Sequence, residues 1–137
     1  MIKIIFIFNI IFILITQGFA YDMNNRQIIT KAFIENSDIK IIDIRTEREW
    51  IDTGIIDGAY TLTFMDERGF YDIDNFTNMI DNVIKNKDEE FAIICRSGGR
   101  TSMLTDLLKN KNYKVINLDG GMNKLIQDGY NTEKYSK

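Results

Sequence analysis

Short apolar, β-branched runs alternate with stretches of helical periodicity along most of this chain, and that alternation confines it to a small set of folds. Residues 39–44 (Ile-Lys-Ile-Ile-Asp-Ile), 91–94 (Phe-Ala-Ile-Ile) and 114–118 (Lys-Val-Ile-Asn-Leu) read as buried strands, with a weaker strand at 60–63 after the turn signal Asp57-Gly58. Between them, residues 46–51 read as a short helix that Gly54 ends. Phe76, Met79, Ile80, Val83 and Ile84 fall at helical spacing, with Asp74 or Asn75 placed to cap the first turn. Met103, Leu104, Leu107 and Leu108 mark a helix that starts near Gly99 or Arg100, and residues 122–127 form a last short one after the Gly120-Gly121 turn. Ile28, Ile29, Ala32 and Phe33 suggest an opening helix behind a very short edge strand, and residues 64–74 look like an irregular surface connection. Met79 and Met103 are expected in the core, and Trp50 in the core or at its rim. The expected architecture is a single α/β domain, with a mainly parallel central β-sheet flanked by helices on both faces.

The first twenty residues stand apart. Lys3 precedes an apolar run over residues 4–15, broken only by Asn9, and Gly18-Phe19-Ala20 supplies small residues where a signal peptidase reads. The run is shorter than the roughly 20 residues a bilayer span needs, so retention as an anchor is the weaker reading. Residues 1–20 are expected to be a cleaved signal, leaving an exported, periplasmic domain over 21–137 with no stable membrane span. Without Lys3, the 17 basic residues become 16 against 20 acidic ones, and no basic cluster stands out, which argues against nucleic acid as a partner.

The chain has one cysteine and no histidine. A lone cysteine forms no internal disulfide, so Cys95 either pairs with another molecule or keeps a free thiol for a purpose. The absence of histidine removes Ser-His and Cys-His catalytic pairs and the usual zinc ligand sets. Thiol chemistry here must be activated without an imidazole.

The segment Cys95-Arg96-Ser97-Gly98-Gly99-Arg100 places such a thiol between an expected strand and an expected helix, where open α/β sheets carry ligands. Three features are of the kind that activate a thiol: the start of the following helix, the guanidinium groups of Arg96 and Arg100, and the amides of a glycine-rich loop. Gly98 and Gly99 allow successive N–H groups to converge into an anion cradle, and Ser97 adds a hydroxyl. A lone cysteine at the end of an apolar strand is ordinarily a small core residue, but two arginines around a Ser-Gly-Gly turn are poor company for an inert thiol. For Asp43, Arg45 and Glu49 a structural role is expected: Arg45 and Glu49, four apart, pair on a helix face, and Asp43 positions neighbouring loops.

At these residues the chain resembles the rhodanese-like sulfurtransferase family, in its short, single-domain, exported form. Asp43-Ile44-Arg45 with Glu49-Trp50, Gly54 with Gly58-Ala59, Leu118-Asp119-Gly120-Gly121 and Gly129-Tyr130 extend the likeness from about Ile28 to Tyr130. Ile55 and Asp57 stand where the family often has His and Pro, and Leu125 where it usually has Trp. Related phosphatases of this fold separate cysteine and arginine by five residues and sulfurtransferases by four; this chain has four, and a fifth would put the arginine at Thr101. The resemblance implies that Cys95 carries a sulfur atom as a persulfide, taken from a small anionic donor such as thiosulfate and passed to a nucleophilic acceptor. Arg96, Ser97, Gly98, Gly99 and Arg100 would bind substrate, with no metal or organic cofactor. A catalytically silent binding or regulatory module, a thiol redox protein and a phosphatase are the alternatives, the redox reading weakened by the lack of a resolving cysteine.

Overall fold

A computed structural model describes residues 25–137, so the expected signal segment lies outside the described residues. These residues form five strands, β1 (Arg26–Ile28), β2 (Lys40–Asp43), β3 (Tyr60–Thr61), β4 (Phe91–Ile94) and β5 (Val115–Asp119). Five helices alternate with them: α1 (Lys31–Asn36), α2 (Glu47–Thr53), α3 (Ile73–Asp81), α4 (Gly99–Asn110) and α5 (Gly121–Gln127). The sheet runs in the order β1-β5-β4-β2-β3 with every pair parallel. No helix among the described residues is long and apolar enough to cross a membrane.

The period-two geometry of β4 divides the core. Phe91, Ile93 and Cys95 join Ile42 and Ile44 of the β2 segment, Val115, Phe76 and Ile80 of α3, and Leu104 and Leu108 of α4 on one face. Ala92 and Ile94 join Ile41, Ile29, Leu118, Met122 and Leu125 on the other, with Phe33 and Ile34 of α1 packed against them. Helices on both faces bury both sides of the sheet, which is why its central strands read as nearly continuous apolar runs.

Several boundaries differ from the sequence expectation. Ile28 closes β1, and Ile29 extends it by donating its N–H to the Asp119 carbonyl at 3.0 Å. Helix α1 therefore starts later, capped by Thr30. Helix α3 is capped by Asp72 rather than Asp74 or Asn75, because Asp72 reaches the Asn75 N–H at 3.0 Å. It ends at Asp81, and Ile84 is buried from the turn that follows. Phe64 is only 4% exposed, wedged between the rings of Tyr71 and Phe76, so the 64–74 connection is anchored in the core. Met79 is partly buried against the core, while Met103 is 36% exposed on the outer side of α4. Trp50 is buried.

Parallel strands all end on one side of the sheet. Cys95 follows β4 at that edge, Gly120 follows β5, and Arg45 follows β2, so three strand-to-helix turns converge on one point.

Candidate active site

Cys95 is the first residue past β4, and its side chain is 1% exposed. The Gly98 N–H donates to its Sγ at 3.1 Å, which folds the loop over the sulfur. This tight return puts Gly98 at φ 111°, in the left-handed region that favours glycine, and Gly98 then serves as the N-cap of α4. No side chain caps that helix start, so its first-turn N–H groups are left to the loop. The Thr101 hydroxyl, fully buried, donates to the Gly98 carbonyl at 3.0 Å and lies 3.6 Å from Sγ. Arg96 and Ser97 point into an open cleft of about 470 Å³ together with Arg100, Thr46, Arg48, Glu49, Asp52, Asp66 and Glu67. Gly99 is exposed in the first turn of α4. Among the described residues, no cluster of three His, Cys, Asp or Glu side chains is arranged to hold a metal ion.

Helix α5 holds the loop from behind. The Met122 and Asn123 N–H groups donate to the carbonyls of Cys95 and Arg96 at 2.9 and 3.0 Å. Gly121, at φ 62°, lets the two turns touch: a Cβ there would sit 2.5 Å from the Arg96 carbonyl oxygen.

Arg100 is bound to Glu49 by a two-pronged ion pair, with Nη1–Oε2 at 2.7 Å and Nη2–Oε1 at 2.6 Å. The expected Arg45–Glu49 side-chain pair does not form. Arg45 is 1% exposed and turns inward to Asp43 (Nη2–Oδ2 2.7 Å), where a buried guanidinium finds a buried carboxylate. Nη2 also donates to the Gly54 carbonyl, and Nη1 to Thr53 Oγ1 and the Glu49 carbonyl, tying β2 to the far end of α2. Glu49 is the third residue of α2 and part of a capping box with Thr46, so its carboxylate points back to the helix start and toward the cysteine loop. Burial alone would raise the Glu49 pKa, but hydrogen bonds from Arg100 and the Thr46 backbone, with the Arg100 charge, hold it at about 2. The same hydrogen bonding to Glu49 raises Arg100 against the effect of burial. Both groups stay charged throughout the neutral range.

The structure thus brings Cys95, Gly98 and Thr101 together around the sulfur and sets Arg96, Ser97 and Arg100 along the cleft. The approach of the Thr101 hydroxyl to the sulfur, the contact of the Gly121 turn with the cysteine loop and the Glu49–Arg100 pair were not read from sequence. The signal for the pair was a capping-box spacing, Thr46 to Glu49, which aims a carboxylate away from its own helix face.

A rhodanese-like domain model matches residues 29–128, most of the chain. The chain belongs to the rhodanese-like family. Its fold is similar to that of a rhodanese-related protein from Thermoplasma volcanium, at 20% identity over 77% of this chain and 95% of that one, with a TM-score of 0.57. It is also similar to a rhodanese-like domain protein from Staphylococcus aureus, at 23% identity over 78% and 98%, with a TM-score of 0.56. A Rhodopseudomonas palustris protein described as a possible tyrosine phosphatase matches at 24% identity over 80% and 86%, with a TM-score of 0.56. No curated protein matches this sequence.

Proposed function

We propose that this rhodanese-like protein is an exported sulfurtransferase that carries sulfane sulfur on Cys95. The observation that carries the reading is the Gly98 N–H donated to Cys95 Sγ at the uncapped start of α4. Backbone dipoles of this kind stabilise negative charge on a thiolate and on the persulfide derived from it. In the first step the thiolate attacks the outer sulfur of thiosulfate, the S–S bond of the donor breaks, and sulfite leaves with the bonding pair. In the second, an acceptor such as cyanide attacks the outer sulfur of the persulfide, forming thiocyanate and returning Cys95 as thiolate. Neither step needs an oxidant or a reductant. Phosphoryl transfer fits less well. Thr101 occupies the position at which a longer loop would bring its arginine, and it is fully buried.

The test is thiocyanate formation by the protein given thiosulfate and cyanide, with intact mass read after donor alone. One sulfur is expected on the wild type and none on Cys95→Ser, which should lose at least ~1,000-fold in turnover, as expected for removal of a covalent nucleophile. Full activity in Cys95→Ser would overturn the mechanism. The near-complete burial of Cys95 favours one second reading, a binding module without turnover; an unmodified wild-type mass after donor treatment, with a stable protein partner in a pull-down, would select it.

A further inference from the structure

Three carboxylates stand where the strand-to-helix turns converge, and each is tied to an arginine. Asp43 closes β2 and binds Arg45, Glu49 binds Arg100, and Asp119, the last residue of β5, binds Arg26 of β1 at 2.8 Å. The first two arginines belong to elements that the cysteine loop already uses. Arg26 comes from the edge strand of the sheet, which otherwise contributes nothing to the site.

The third carboxylate leans on the cysteine loop. Register pairs Ile93 of β4 with Asn117 of β5, so two residues further on Cys95 and Asp119 leave neighbouring strands, about 4.8 Å apart, on one face of the sheet. Arg26 opposes Asn117 from the other side and shares that face. Asp119 Oδ1 stands 3.5 Å from the place a Cβ on Gly98 would take, against the residue whose N–H holds Sγ. A bare carboxylate here repels negative charge on the sulfur and offsets the backbone dipoles that favour it. A guanidinium at 2.8 Å cancels most of that field, because a close ion pair acts at a distance as a dipole instead of a charge. With side chains 60% and 34% exposed, the Arg26–Asp119 pair adds little to stability, which leaves charge compensation as its larger effect.

We propose that Arg26 is a positioning residue for sulfur transfer: it draws the Asp119 carboxylate outward and neutralises it, so that Cys95 holds a negative sulfur and meets an anionic donor. The inference rests on the sulfurtransferase reading. Arg26 acts through Asp119 and not on the reacting atoms.

The experiment follows sulfur uptake by Cys95 from thiosulfate, read by intact mass at low ionic strength. Arg26→Gln is expected to slow uptake about fivefold, a deficit that shrinks as salt is added, and Arg26→Lys to stay within about twofold of wild type. Asp119→Asn is expected to speed uptake, and the double variant Arg26→Gln/Asp119→Asn to return to the wild-type rate. A clamp that only fastens β1 to β5 would slow both single variants and leave the double variant slow. That pattern overturns the proposal, as does an Arg26→Gln rate equal to wild type. Should Arg26→Gln fold poorly, Asp119→Asn decides, because a rate at or below wild type in that variant overturns the proposal by itself. A wild type that takes up no sulfur removes the sulfurtransferase reading, and this inference with it.

Discussion

Gly121 shows how much of the sulfur site is made by backbone that touches no substrate. Its place in the turn after β5 puts the α5 amides against the carbonyls of Cys95 and Arg96, and an added methyl would overlap Arg96 and Cys95 backbone atoms at 2.5–2.6 Å. Gly129 separates that contact from conformational strain, because it also has positive φ (86°) but open space around its Cβ direction. Gly129→Ala should cost about 1 kcal/mol, and Gly121→Ala about 2 kcal/mol more together with a fall in thiocyanate turnover, since it displaces the loop. Urea unfolding and turnover of the two variants check this, and equal losses would mean the turns do not bear on each other. The loop from Cys95 to Arg100 was legible in sequence because its parts are contiguous. Gly121 lies 26 positions from Cys95, and a Gly-Gly pair reads as a turn whatever packs against it.

Helix α2 connects the two charged networks of the site. Its first turn presents Glu49 to Arg100, and its last turn receives Arg45, so one short helix spans the distance from the buried Asp43–Arg45 pair to the cysteine loop. Sequence reasoning paired Arg45 with Glu49 because four-residue spacing is the local alternative. Burial of Arg45 beside Asp43, and a partner 51 positions away for Glu49, depend on packing that no local pattern records. The pair has a pH signature. The Glu49 carboxyl has an ordinary pKa of 4.5 and a folded value of about 2, so its stabilisation is complete above 4.5 and is lost as pH falls through the folded value. With its side chain 22% exposed, the pair should contribute about 2 kcal/mol after screening. Glu49→Gln is therefore expected to lower unfolding free energy by that amount at pH 7, with the gap to wild type narrowing between pH 4.5 and pH 2. A gap that stays constant across this range would assign the loss to the capping box, through Thr46, instead of the ion pair.

The described residues form a doubly covered parallel sheet whose central strands were legible because both faces are buried, so most of their residues are apolar. The strand order was not, since it follows from crossovers and from an edge strand of three residues with little pattern of its own. Least legible was the chain beyond Tyr130, polar and without periodicity, where the family resemblance stops. Yet this segment straps α2. Glu133 exchanges two backbone hydrogen bonds with Ile55, Thr132 donates to the Thr53 carbonyl at 2.8 Å, and Tyr135 packs its ring 5.2 Å from that of Trp50. Lys137 reaches Glu47 at 2.9 Å in the first turn of the same helix. The strap thus runs along the element that aims Glu49 at Arg100. Deleting residues 131–137 should uncover Trp50, now 5% exposed, and cost about 2–3 kcal/mol from the lost aromatic burial and hydrogen bonds. Trp50 is the only tryptophan, so its emission reports on this contact alone. A red shift, a lower midpoint of thermal unfolding and reduced sulfur transfer are expected together. An unshifted emission would show that α2 keeps Trp50 covered without the strap, and that the path from the C-terminal segment through Glu49 to the cysteine loop carries no force.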